Sequence, residues 1–351
     1  MKKRIVKIVI CVVLLAASLF LLQKLLVPKY ATTNEEGILS SEYYANAGNN
    51  DVLFIGDCEV YTNFSPVKLW RDYGITSYIR GTPQQLTWQS YYLLEDTLRY
   101  ETPKVVVFNV LAMKYAEPQN EAYNRLTLDG MKWSRTKLDA VKASMTDEET
   151  VASYIFPLLR FHSRWNELSS EDINYLFRTE KLSHNGYLMR VDAKPAGQVP
   201  DPVPLPDYTI GPKCWEYLDK IRETCDQKGI KLILIKAPSL YPAWYDQWDK
   251  QVVDYAAKYG LEYINFYALA DETGIDYNTD TYDAGLHLNL SGAEKLSAWF
   301  GKYLKEKCGV EDRRSDAALA AEWAEREEFY EFMKEAQYKQ LREEGAVTRY
   351  K

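Results

Sequence analysis

Two short stretches of this chain hold residue types that together perform covalent chemistry on a carbonyl. The first is an apolar run at 51–55 that ends in Gly56-Asp57-Cys58-Glu59, and the second is 282–293, in which Asp283 stands four residues ahead of His287. A thiol at a strand-to-helix junction lies where its own backbone N–H and the helix N-terminus stabilise an oxyanion. An imidazole with an acid close by is a base that a carboxylate orients. A thiol at a helix N-terminus beside an imidazole has a lowered pKa and is a stronger nucleophile than an alcohol. Plainer readings stand beside this one. A cysteine after a buried strand is ordinarily packed core. The chain has histidines only at 162, 184 and 287; His162 and His184 read as structural or lid residues. Glu59 either faces the cleft or favours the helix N-terminus through its charge, and Asn289 caps the turn into the last helix.

The elements that would position these groups follow from the pattern. Short β-branched or apolar runs occur at 51–55, 75–79, 104–110, 231–236 and 261–266, with helical patterns between them at 85–100 and 212–228. This alternation predicts βαβ units and a parallel sheet covered on both faces, with ligands at the carboxyl ends of the strands. A further helix is expected over 293–307, directly after the His287 loop. From 117 to 212 the alternation stops. Helices are expected around 146–165 and 171–177, followed by a segment with Pro195, Pro200, Pro202, Pro204 and Pro206 that reads as an extended crossing within an insertion or lid. Residues 309–351 are dense in both signs of charge, with Leu319, Trp323, Tyr330 and Met333 at near-helical spacing. That pattern predicts a helix, either packed on the domain or docking a partner.

Lys2, Lys3, Arg4 and Lys7 precede an uncharged run at 8–22, and apolar character resumes after Lys24. At about 1.5 Å per residue, 5–27 spans roughly the 30 Å hydrocarbon core, with Lys7 and Lys24 reaching the two interfaces. The basic flank stays cytoplasmic, so residues beyond 30 lie outside. Residues 1–30 are expected to be a cytoplasmic tip and signal anchor at the cell membrane, single-pass, and 31–50 a linker. A cleavable signal peptide is the alternative; the small residues Ala16, Ala17 and Ser18 sit inside the apolar run rather than after it.

The chain resembles the SGNH (GDSL-like) hydrolases, whose signatures are a first strand ending in Gly-Asp-Ser and an Asp-x-x-His before the last helix. It is especially similar to the membrane-anchored members of Gram-positive bacteria, including the family of teichoic acid D-alanyl transfer, and to cell-surface O-acyl esterases and transferases. The resemblance covers about 50–308, and its strong motifs lie at the two ends. It implies an α/β, three-layer αβα fold with a mostly parallel five-stranded sheet of flavodoxin-like type over 51–308, carrying the 117–212 insertion. Cys58 takes the place of the nucleophilic serine, and His287 is the base. Asp283 is the orienting acid, with Asp280 as the alternative because the spacing here is four rather than three. The N–H groups of Cys58 and Gly81, with Asn109, form the oxyanion hole. No cofactor and no metal are implied.

The function so implied is hydrolysis or transfer of O-acetyl or D-alanyl esters on a cell-wall polymer or exopolysaccharide, outside the cytoplasm. The 28 Tyr and nine Trp suit sugar faces as well as a packed core. A cysteine in the serine position leaves a second expectation: a silent scaffold that binds glycan or docks on a membrane-bound O-acyltransferase. A net charge of -7 and the lack of a basic run beyond the first residues exclude a nucleic-acid partner. There is no Cys-x-x-Cys for structural zinc and no glycine-rich phosphate loop. Cys214 and Cys225 share one expected helix, their backbones roughly 16 Å apart, too far for a disulfide.

Overall fold

The structure is a computed structural model that describes residues 2–28, 35–174, 176, 181–199 and 201–347. In chain order it comprises α1 (Lys2–Leu26), α2 (Glu35–Asn46), β1 (Val52–Gly56), α3 (Cys58–Asn63), α4 (Pro66–Tyr73), β2 (Ser77–Gly81), α5 (Thr87–Thr97) and β3 (Val105–Asn109). There follow α6 (Glu121–Leu128), α7 (Arg135–Ser144), α8 (Val151–Ile155), α9 (Leu158–Phe161), α10 (Ser170–Asn174), α11 (Pro212–Lys228) and β4 (Lys231–Lys236). The chain continues through α12 (Asp246–Tyr259), β5 (Glu262–Asn265), α13 (Ala270–Thr273), α14 (Leu290–Cys308) and α15 (Ala317–Glu344).

All five strands are parallel, in the order β2-β1-β3-β4-β5. The interiors of the three central strands β1, β3 and β4 are apolar because both faces are covered, while the edge strands β2 and β5 carry Ser77, Arg80, Glu262 and Asn265; the period of two divides the side chains between two cores. Val52 and Phe54 of β1, Val105 and Val107 of β3, and Ile233 and Ile235 of β4 join Phe64, Leu296 and Phe300 of the α3, α4 and α14 layer. Leu53, Ile55, Val106, Phe108, Leu232 and Leu234 meet Trp88 and Leu94 of α5, Leu218 and Ile221 of α11, and Val252 of α12 on the other face. The chain reverses direction across the sheet between β1 and β3, so the crevice at their carboxyl ends is the place where such sheets bind ligands.

Several expectations are corrected. The segment 31–50, expected as a linker, contains α2, whose Ile38, Leu39 and Tyr43 are buried, with the Arg80 guanidinium 4.1 Å from the Tyr43 ring centroid. The expected helix at 146–165 is broken into α8, α9 and a 3₁₀ turn at His162–Asn166. Pro157 causes the break: it lacks an N–H, and the residue before it, Phe156, is displaced from helical geometry (φ -123, ψ 79). The insertion also holds α6 and α7, which share a small satellite core with Leu93. Gly81, expected after the second strand, is its last residue, and α14 begins three residues earlier than the periodicity suggested. Of the expected helix at 171–177, α10 covers the part to Asn174, while 175 and 177 lie outside the described residues, as does Pro200.

The C-terminal helix packs on the domain. Trp323 stacks on Trp70 of α4 (centroids 5.1 Å, 15° between planes), and Arg71 pairs with Glu327 and Glu331. α1 is an N-terminal helix long and apolar enough to cross a membrane, a property an anchor and a signal sequence share.

Because Trp323 is fully buried, Trp323→Ala is expected to lower the unfolding free energy by about 3–5 kcal/mol in denaturant titrations. A change below about 0.5 kcal/mol, the scale of a surface substitution, would show α15 to lie outside the cooperative unit.

Candidate functional site

The turn from β1 into α3 is built to bring backbone close to backbone. Gly56 has φ +154, and a β-carbon there would come within 2.9 Å of Asn109 Cβ. Gly81 pairs with it in the adjacent strand, and a β-carbon on Gly81 would meet Val60 at 2.5 Å and the Asp57 carbonyl at 3.1 Å. Only glycine fits either position without displacing the turn. Asp57 caps α3 by accepting the Glu59 N–H at 3.2 Å, which leaves Cys58 as the first residue of the helix, half-buried. Cys58, Gly81 and Asn109 therefore stand at the carboxyl ends of β1, β2 and β3.

Glu59 neither opens into a cleft nor simply decorates the helix terminus. It is fully buried and accepts from Lys236 Nζ at 2.8 Å and from Asn109 Nδ2 at 2.9 Å. Asn109 Nδ2 also donates to Asp57 at 3.0 Å, and its Oδ1 accepts from Ala237 N at 3.2 Å. Both amide hydrogens of Asn109 are thus spent on carboxylates, so its side chain positions acids rather than offering a free donor to an oxyanion. Lys236, equally buried, was not singled out from sequence. The available signal was a lysine closing the otherwise apolar run 232–235.

This surrounding decides the state of the thiol. Burial, then the carboxylates of Asp57 and Glu59, push the Cys58 pKa well up, with only partial opposition from Lys114. The expectation of a lowered pKa is therefore reversed, first by burial and then by the two adjacent acids. Burial and Glu59 likewise raise Asp57 to about 6. Between pH 6 and 3.8 the folded chain holds this proton more tightly than the unfolded one, so Asp57 destabilises above that window and the penalty is relieved as pH falls through it. Lys114 is lowered, chiefly by its own burial.

At 282–288 the choice between the two acids is resolved. Asp283 Oδ2 lies 2.6 Å from His287 Nδ1, and its Oδ1 accepts the His287 backbone N–H at 2.7 Å. The spacing of four is accommodated by left-handed backbone at Ala284 (φ 67) and Gly285 (φ 102). Asp280 points elsewhere, accepting from Lys295 at 2.7 Å and from Asp276 N at 2.8 Å. Burial would raise its pKa, but those two bonds, with Ser291 and the Lys295 charge, outweigh burial and hold it below the usual carboxylate range. Asn289 caps α14 through Gly292 N, as expected.

The loop is fastened from three sides. Leu288 N donates to Asn63 Oδ1 at 2.9 Å, tying it to the end of α3. Lys194 N and Ala196 N of the extended proline-rich segment donate to Thr281 and Tyr277. Tyr282 stacks on the imidazole (5.7 Å, 15°), and the Tyr241 hydroxyl donates to the Asp283 carbonyl. His287 Nε2 is buried and has no hydrogen-bond partner among the described residues, and Cys58 Sγ makes no hydrogen bond to it. Beside Asp283 opens a cleft of about 510 Å³, lined by Gln198, Val199, Val203, Tyr241, Tyr245 and Ala284. A larger hollow of about 630 Å³ runs along α15 and contains none of the groups above. His162 is exposed in the insertion, while His184 is buried against Phe329 and Tyr330, its pKa lowered to about 3 by burial and then by Lys181.

The arrangement offers a carboxylate-held imidazole with one unpartnered nitrogen, on a loop tied to the end of α3, and a thiol that opens the same helix. Attack by such a thiol requires a base that removes its proton during the step, rather than a standing thiolate.

Alkylation of Cys58 by iodoacetamide, followed by mass spectrometry of its peptide, should therefore rise with pH without a plateau below pH 9. A plateau reached between about pH 5 and 7 would mean a thiolate activated against its neighbours. Glu59→Gln, which leaves buried Lys236 without its counter-charge, should cost about 3–5 kcal/mol of stability by denaturant unfolding.

The sequence matches no protein-family model and no curated protein, so the reading of this site rests on its own residues.

Proposed function

We propose that this chain is an SGNH-like hydrolase or acyltransferase that acts outside the cytoplasm on acyl esters, O-acetyl or D-alanyl, of a cell-wall polymer or exopolysaccharide. α1 anchors it as a single span, with Lys2, Lys3, Arg4 and Lys7 on the cytoplasmic side. One observation carries the reading: a single carboxylate, Asp283, holds both the backbone N–H and Nδ1 of His287 while Nε2 stays buried and unpartnered. His184, which packs in the core, bonds no carboxylate through either ring nitrogen, so the Asp283 contacts rather than the bare Nε2 set His287 apart.

In the proposed cycle Cys58 Sγ attacks the ester carbonyl as its proton passes to His287 Nε2. The carbonyl oxygen becomes an oxyanion held by the N–H groups of Cys58 and Gly81, while Asp283 stabilises the imidazolium. Collapse of the tetrahedral adduct breaks the ester C–O bond, the leaving hydroxyl takes the proton from Nε2, and an acyl-thioester remains on Cys58. Water or a sugar hydroxyl then attacks the thioester, giving up its proton through His287 and regenerating the thiol. Water makes the protein an esterase and a hydroxyl acceptor makes it a transferase. The aromatic and apolar walls of the cleft beside Asp283 suit the face of a sugar unit or an acyl group.

A second reading has its own support. Burial and the two flanking carboxylates raise the Cys58 pKa, and no hydrogen bond joins the thiol to His287 among the described residues. Both features suit a silent scaffold that binds glycan or docks on a membrane-bound O-acyltransferase.

With the full chain in detergent, p-nitrophenyl acetate should acylate Cys58, seen by intact-protein mass and lost in Cys58→Ala. His287→Ala and Asp283→Asn should each slow acylation by about 10²–10⁴-fold. If the wild type is never acylated, and turnover appears only in Cys58→Ser, the scaffold reading replaces the enzymatic one.

A further inference from the structure

The last turn of α1 does not stand free like the turns before it. Leu26 is buried, and Arg164 Nη1 donates to its carbonyl at 2.8 Å. The elements that receive this turn are α9, the 3₁₀ turn His162–Asn166 and α10. Residues 5–22, by contrast, are bare along their length. Eighteen residues at about 1.5 Å each cover roughly 27 Å, close to the hydrocarbon thickness of a bilayer. If α1 crosses a membrane, the bare part fills the hydrocarbon, and the docked turn, with Lys24, lies at the level of the headgroups.

The elements gripping that turn expose an unusual set of side chains. Phe156 is 60% exposed, Leu159 59%, Trp165 67% and Ile173 61%, all within one stretch of the insertion. Their cationic neighbours are already paired: Arg160 with Glu121, and Arg164 with Asp172 and Glu167. Large exposed apolar side chains gathered in one segment mark an interaction surface rather than ordinary solvent contact. A Trp beside arginines suits the bilayer interface, where an indole sits among headgroups and aliphatic side chains reach the acyl boundary.

We infer that α8–α10 form a membrane-seating face, with Phe156, Leu159, Trp165 and Ile173 inserted into the outer interface of the bilayer that α1 crosses. This rests on reading α1 as a retained anchor. The face turns a single-helix tether into a two-point attachment and sets the height at which the Cys58–His287 edge stands above the lipid. Because the arginines are internally paired, the face requires apolar contact with lipid and no anionic headgroup.

The test uses the full chain reconstituted in phosphatidylcholine vesicles whose acyl chains are brominated close to the headgroup, which quench tryptophans at that depth. Relative to unbrominated vesicles the wild type should lose a fraction of emission on the order of one tryptophan in nine, and Trp165→Phe should abolish that loss. Hydrogen exchange in 155–173 should also be slower in vesicles than after detergent extraction. Equal quenching of wild type and Trp165→Phe, in a chain that floats with the vesicles after alkaline washing, overturns the seating face and leaves the anchor standing. A chain that does not float at all removes the anchor reading, and the seating face with it.

Discussion

Glu59 and Lys236 have no contact with solvent, and the ion pair between them joins the first turn of α3 to the end of β4 across the carboxyl edge of the sheet. Removing two such charges from water is costly, and the attraction between them offsets that cost only when the remaining lone pairs and protons are also satisfied. Here they are: Asn109 donates to Glu59 and to Asp57, and Lys236 donates to the Ala237 carbonyl. The network spans β1, β3 and β4 and sets where the Asp57-Cys58 turn sits. Its gain is geometric: a unique position for α3 relative to the strand ends.

That geometry carries an electrostatic consequence. Placing Asp57 and Glu59 on either side of Cys58 fixes the turn and also surrounds the sulfur with negative charge. The architecture therefore favours a neutral thiol, which behaves more like an alcohol than like the pre-ionised cysteine of an electropositive site. In a serine hydrolase the nucleophile is likewise neutral until the base acts. The imidazole opposite is held to suit, its orientation set by both oxygens of one carboxylate and its loop fastened to Asn63 of the same helix. The extended segment that crosses 277–281 adds a third attachment, so the insertion braces the site while also walling the cleft beside it.

The face of the sheet that carries α3 and α14 is filled with aromatic rings beneath the Cys58 turn. Phe54, Phe64, Phe266 and Phe300 pack ring on ring, and α15 closes this layer through the Trp70–Trp323 stack. The dense charge of α15 belongs to its solvent side and to a few pairs with α4. A helix so polar on average is held by a narrow seam of large side chains, Leu319, Trp323, Tyr330 and Met333, rather than by a broad apolar stripe.

The sequence by itself determined the strands, because a run such as Leu232-Ile233-Leu234-Ile235 has no other low-energy place than the interior of a covered parallel sheet. It also determined Pro212–Lys228 as a helix, with proline at its start and Gly229 at its end, and the nearness of Asp283 to His287 within one loop. Tertiary structure decided the rest. Whether Asp283 or Asp280 holds the imidazole depended on the backbone at Ala284 and Gly285, and on Lys295 being one helical turn into α14 to claim Asp280. The 35–46 helix was hidden because its polar composition masks the buried Ile38, Leu39 and Tyr43, whose partners are far away in sequence. Above all, the state of the Cys58 thiol was not legible. Helix position and a nearby histidine are local facts, but a pKa sums the loss of water and every charge around the group, and the burial of the thiol and the approach of Lys114 come only when the chain is folded.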